Sequence, residues 1–134
     1  MKPIVRDGEP IRVLLVEDEF FIREWVAESL SEQGFAVEAV GTAADALQHL
    51  RAAPVDVLFT DVNLPGGMDG MALARCAREL ISGLAVVYAS ARLAVLEPSS
   101  RVPNSIAVLK PYVPAAVGRL LAGALRPALE AEPA

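Results

Sequence analysis

Five polar residues stand where short apolar runs end. Glu17 and Asp18 follow Val13-Leu14-Leu15-Val16, Asp61 follows the run from Val55 to Phe59, Ser90 follows Leu84 to Ala89, and Lys110 follows Ile106 to Leu109. If those runs lie side by side, three carboxylates, a hydroxyl and an ammonium group meet at one edge. Carboxylates a few ångströms apart in a partly buried pocket repel strongly, so they take up protons or hold a cation. Hard oxygen ligands select Mg2+ or a similar ion over zinc. The lysine adds one fixed positive charge, and the hydroxyl can donate to an oxygen held between cation and lysine. That combination suits a phosphoryl group, whose transfer needs an in-line nucleophile and positive charge around its equatorial oxygens. Asp61 is the nucleophile candidate, because a carboxylate that accepts a phosphoryl group becomes an acyl phosphate.

Taken singly, each residue has a plainer role. Glu17-Asp18-Glu19 suits the positive end of a helix dipole. Asp61 can serve a turn, Ser90 can be a small residue at a close approach of chains, and Lys110-Pro111 can simply end a strand. His49, the only histidine, lies near the end of a helical run and away from the five residues. It reads as an exposed helix residue, since a phosphotransfer histidine needs a helical bundle to present it. Cys76 is the only cysteine, which excludes an internal disulfide or a thiolate cluster, and its phase predicts a small packed thiol.

The elements that must position these groups alternate in type. Val13 to Val16 reads as a strand buried on both faces. Ile22, Val26 and Leu30 recur at helical spacing, with Phe21 and Trp25 beside them, and Gly34 follows where a helix end takes a left-handed residue. Ala36 to Val40 is a second strand, and Thr42-Ala43-Ala44-Asp45 opens a helix with Ala46, Leu47 and Leu50 on one face. A third strand closes at Thr60-Asp61; a Pro65 to Gly70 loop follows, then a helix with Leu73, Cys76, Ala77 and Leu80 as its buried phase. Leu84 to Ala89 and Ile106 to Leu109 are the fourth and fifth strands. Pro114 suits the first position of a last helix with Val117, Leu120, Leu121 and Ala124 on its apolar face. Leu93 to Leu96 allow a helical turn or two, whereas Pro98 and Pro103 forbid a long helix. Alternating strands and helices predict an α/β fold with a parallel sheet covered on both faces, which binds ligands beyond the carboxyl ends of its strands.

Composition narrows the class further. The 134 residues, 54% hydrophobic and 22% charged, suffice for one core. Seventeen acidic against twelve basic residues leave a net charge of -5, with no basic run to follow a phosphate backbone, so direct nucleic-acid binding is not expected. The longest uncharged stretch, Leu80 to Ala91, is too short to span a bilayer, and Pro3 with Arg6, Asp7 and Glu9 interrupts any signal-peptide core. No membrane association and a cytoplasmic location are the resulting expectations. Residues 1–10 read as a flexible lead-in, 11–125 as the domain and 126–134 as a fraying tail too short to fold alone.

In order and context, Glu17-Asp18 after the first strand, Thr60-Asp61-Val62-Asn63-Leu64-Pro65 with Asp69-Gly70 after the third, Ala89-Ser90-Ala91 after the fourth and Lys110-Pro111 after the fifth are specific together. Over residues 11 to 125 the chain resembles the receiver domains of two-component response regulators. The resemblance implies a doubly wound, flavodoxin-like (CheY-like) three-layer sandwich, its five-stranded parallel sheet in the order 2-1-3-4-5. It implies phosphorylation of Asp61, Mg2+ held by Asp18 and Asp61 with help from Glu17 and the backbone carbonyl of Asn63, contact of Ser90 and Lys110 with the phosphoryl group, and a cis bond before Pro111. A histidine kinase or histidine phosphotransfer protein is the implied donor and an unnamed protein the target, with a homodimer also open. The chemistry would be phosphoryl acceptance and slow self-dephosphorylation rather than turnover, in a stand-alone receiver.

Three departures from the family pattern stand out. Ala107 occupies the place, three before the lysine, where many members carry a switching aromatic; Tyr88 and Tyr112 lie near it in sequence without matching it. Gly66-Gly67 lengthens the loop after Asp61, and residues 91–105 look short for a regular fourth helix. Two other functions stay open: a receiver-like binding module that takes no phosphate, and a metal-dependent phosphohydrolase, which the missing general acid and substrate cap disfavour.

Overall fold

Alternation of side chains along five short strands builds two cores, one on each face of a single sheet. The structure, a computed structural model, describes residues 5–6, 8–92 and 100–131. The sheet and its helices run β1 (Arg12–Val16), α1 (Phe20–Glu32), β2 (Ala36–Val40), α2 (Ala43–Ala52), β3 (Val57–Asp61), α3 (Gly70–Leu80), β4 (Ala85–Ser90), β5 (Ile106–Leu109) and α4 (Pro114–Ala131). All strand pairings within this sheet are parallel, in the order β2-β1-β3-β4-β5, the doubly wound flavodoxin-like arrangement.

Leu14, Val16, Leu58, Val86 and Tyr88 face α2 and α3, which contribute Ala46, Leu50, Leu73, Ala74 and Ala77. Val13, Leu15, Val57, Phe59, Val87 and Ala89 face α1 and α4, with Val26, Leu30, Val117, Leu121 and Leu125. Every residue of β3 and β4 is buried, which explains why those strands read as continuous rather than alternating runs. Burial of each such Val, Leu or Phe contributes about 1.5–3 kcal/mol, and this offsets the entropy of ordering the chain.

Local signals hold at the element ends. Thr42 Oγ1 accepts the Asp45 N–H at 3.1 Å and so caps α2. Gly34, at φ 103°, carries the chain out of α1. Asp69 Oδ1 accepts the Ala72 N–H at 2.9 Å and starts α3.

Several expectations need correction. The buried arc of α3 is Met71, Leu73, Ala74 and Ala77, whereas Cys76 is half-buried and Leu80 is 44% exposed. The helix packs about the 70/74/77 line, and residues 76 and 80 lie roughly 120° and 80° around from it at 100° per residue. On α4, Leu125 joins Val117 and Leu121 in the core, while Leu120 stays exposed. The helix also continues to Ala131 instead of ending at Leu125. In the lead-in, Val5–Arg6 pairs antiparallel with Glu9–Pro10. His49 is half-buried rather than exposed. The expected helical turn at 93–96 lies outside the described residues.

Candidate functional site

The carboxyl ends of β1, β3, β4 and β5 bring together residues far apart in the chain. Glu17 extends β1 by one residue, its N–H donating to Val40 O at 3.0 Å, which turns its side chain into the sheet edge. Asp61 is the last residue of β3, paired with Ala89 of β4, and Ser90 ends β4 opposite Leu109. The Lys110 backbone N–H donates to Ser90 O at 2.9 Å, so the lysine starts from the same edge, and the peptide bond to Pro111 is cis.

Lys110 Nζ donates to Asp61 Oδ2 at 3.0 Å and to Glu17 Oε1 at 3.4 Å. Glu17 Oε2 accepts the Glu19 N–H at 3.1 Å. Carboxylate oxygens of Glu17, Asp18 and Asp61 lie within 4.8 Å of one another. Glu17 and Asp61 are buried, Asp18 is exposed, and Ser90 is 1% exposed. The acids therefore form a notch with two walls inside the protein and one at the rim. An all-oxygen set of this charge fits a hard divalent cation such as Mg2+.

The electrostatics match this placement. Burial pushes the Glu17 carboxyl up, and the Asp61 charge adds to the effect while the Glu19 N–H and Lys110 oppose it. For Lys110 burial favours the neutral amine, yet the hydrogen bond and charge of Asp61, with those of Glu17, outweigh it and raise the ammonium above its ordinary range. The Tyr112 hydroxyl is pushed far up by burial and by the neighbouring Glu17 and Asp61 charges.

The remaining sequence candidates fall around the notch. Asn63 lies two residues past β3 and is exposed. The Ser90 hydroxyl is engaged with its own chain: Oγ accepts the Arg92 N–H at 3.1 Å and donates toward Arg92 O at 3.4 Å. Arg23 was not among the candidates, yet its Nη1 donates to Glu17 O at 2.9 Å and Asp18 O at 3.4 Å, holding the acidic loop from α1. Its only sequence signal is a cation one turn into the helix that follows two acids. Beside the notch, Ile22, Trp25, Ala91, Lys110, Pro111 and Tyr112 line an open apolar cleft of about 270 Å³.

A family model of the response regulator receiver domain matches residues 13–98, a span that holds Glu17, Asp18, Asp61 and Ser90. The chain belongs to the receiver-domain family of response regulators. This receiver is 35% identical over 103 residues to the response regulator receiver protein CpdR of Brucella abortus, covering 75% of this chain and 85% of that one. It is 38% identical over 89 residues to the transcriptional regulatory protein TctD of Salmonella typhimurium, 65% of this chain but only 38% of TctD. A solved structure of a response regulator receiver protein from Sinorhizobium medicae superimposes with a TM-score of 0.81 at 32% identity, over 88% of this chain and 96% of that one. A CheY-like receiver from Methanospirillum hungatei, 20% identical, shares the fold at a TM-score of 0.81. The receiver thus places its acids, serine and lysine on a frame common to two-component signalling proteins.

Proposed function

We propose that this receiver acts as a switch: Asp61 takes a phosphoryl group from a histidine kinase or histidine phosphotransfer protein, in an Mg2+-dependent reaction, and the change alters affinity for a protein partner. The single observation that carries the reading is the Lys110 ammonium bonded to both Asp61 and Glu17, two of the three acids whose oxygens lie within 4.8 Å of one another. An Asp61 oxygen attacks phosphorus as the bond from phosphorus to the donor nitrogen breaks, and the electron pair leaves with the imidazole. Glu17, Asp18, Asp61 and the Asn63 carbonyl are the proposed holders of Mg2+, which when bound neutralises the acids and the incoming charge. Lys110 keeps its charge in this pocket and pairs with the phosphoryl oxygens. Ser90 gives up its Arg92 contacts to donate to the same group. Water attack on the acyl phosphate returns Asp61, which makes self-dephosphorylation the only turnover.

Docking of a protein donor is supported by the cleft beside Lys110 and by Phe20, Phe21 and Trp25 on α1, which are 56%, 80% and 57% exposed. A cytoplasmic setting fits this partner class, and no helix of the described residues is long and apolar enough to cross a membrane. Ala107 favours a second reading, a receiver that binds its partner without phosphate. The phosphohydrolase reading lacks a general acid: His49, the one histidine, lines a pocket with Arg12, Ala36 and Pro54 at the opposite ends of the strands.

Incubation with Mg2+ and a small phosphodonor or beryllofluoride, comparing the parent with Asp61→Asn, tests the reading. An adduct that depends on Asp61 is expected. No adduct in the parent would overturn the switch in favour of the constitutive module, and turnover of small phosphoesters would favour the hydrolase.

A further inference from the structure

The aromatic missing at position 107 has a counterpart across the sheet. Tyr88 on β4 pairs directly with Ala107 on β5, and Ser90 lies two residues further along the same face of β4. Ala107 supplies only a methyl group to the core it shares with Tyr88, so the aromatic volume of this strand pair belongs wholly to Tyr88, whose exposure is 0%.

The Tyr88 ring is also anchored at its tip. Its Oη accepts the buried Val102 N–H at 3.2 Å, fourteen residues on, at the turn that leads into β5. That turn is held from two other sides. Ser105 Oγ donates to Val102 O at 2.8 Å, and Arg78 of α3 donates from Nη1 to Pro103 O at 2.8 Å. β5 then runs from Ile106 to Leu109 and delivers Lys110 to Asp61. One face of β4 therefore carries two hydroxyls with different duties. Among the described residues the Ser90 hydroxyl bonds only with the backbone of Arg92 two residues on, a contact it can exchange, while Tyr88 is bonded across the fold to the far end of the strand that supplies the lysine.

We infer that Tyr88 is the positioning residue that couples the acceptor site to the turn entering β5, doing from β4 what an aromatic at position 107 would do from β5. The inference rests on the phosphoacceptor reading of Asp61. When Ser90 turns toward a phosphoryl oxygen, the end of β4 adjusts, and the rigid ring two residues back carries that shift to the Val102 amide. A buried amide without its acceptor must find another, so the turn responds.

Amide hydrogen exchange across residues 100–105, with and without Mg2+ and beryllofluoride, tests this, with occupancy of Asp61 followed by 19F NMR. In the parent, beryllofluoride is expected to change exchange at Val102 to Ser105. Tyr88→Phe keeps the ring and removes the acceptor. Its basal exchange in this turn should rise about fivefold, the factor matching one net hydrogen bond. It should still bind beryllofluoride, and the response at the turn should vanish. Ser105→Ala loosens the same turn without touching Tyr88, so it should raise basal exchange and keep the response, which separates coupling from mere loosening. An undiminished response in Tyr88→Phe, or none in a parent that binds beryllofluoride, overturns the coupling and leaves the phosphoacceptor reading intact. A parent that binds no beryllofluoride overturns that reading and this inference with it.

Discussion

Glu17 has the most to lose from its own position, because it is a buried carboxylate beside two others and, among the described residues, one ammonium faces it. Its folded pKa lies above the ordinary 4.5, so the folded state holds the proton more tightly. The stability this contributes is present below about 4.5 and is lost as pH rises through the folded value. Glu17→Gln should therefore melt higher than the parent in metal-free buffer near pH 7, with the gap narrowing toward pH 4.5. Thermal melts of both proteins across pH 4 to 8 check this, and Mg2+ should reverse the order at neutral pH. Arg92 lies two residues beyond Ser90 and is exposed. Arg92→Ala should shorten the lifetime of phosphorylated Asp61 about twofold to fivefold, as suits an exposed cation contributing a few tenths to 1 kcal/mol. Equal decay in both proteins would refute that role. At this scale the sequence named the acids, Ser90 and Lys110 because each ends an apolar run. It did not reveal Arg23, whose partners are backbone carbonyls that leave no mark on residue type.

Elements set how closely those groups approach, and two glycines separate the requirement from its absence. A methyl group on Gly70 would overlap the Asp61 carbonyl oxygen and come within 2.9 Å of Val62 Cα, because the start of α3 presses on the end of β3. Gly70→Ala should cost about 1–3 kcal/mol and weaken Mg2+ binding at Asp61, read by a denaturant melt and a metal titration. Gly123, inside α4, meets no side chain or neighbouring element among the described residues within 4 Å of the corresponding position. Gly123→Ala should stabilise by about 0.5–1 kcal/mol and leave the site alone. The periodicity of the sequence found the five strands and four helices of the sheet layer, since the apolar patterns are strong, but it ended α4 six residues early at Leu125. It missed the phase of α3, because small residues such as Ala74 and Gly70 pack as closely as leucine and carry little apolar signal.

Across the whole molecule, binding of a cation to the notch is linked to folding, since the three acids meet only in the folded chain. At 100 times its dissociation constant, Mg2+ should raise stability by about 2.7 kcal/mol, and Asp61→Asn should lose most of that gain. Calorimetric melts with Mg2+ and with a chelator provide the measurement. An equal gain in both proteins would place the cation elsewhere.

The amino-acid sequence by itself determined the type and order of the elements and which residues stand at the strand ends, because burial periodicity and strand termination are local properties of the chain. Only the tertiary structure decided that Lys110 bridges Asp61 and Glu17, that Ser90 rests on Arg92, and that Tyr88 faces Ala107 while holding Val102. Apart from the contact of Ser90 with Arg92, two residues on, those are relations between residues 14 to 93 positions apart. Strand register and the crossovers set such distances, and neither leaves a signature in residue spacing.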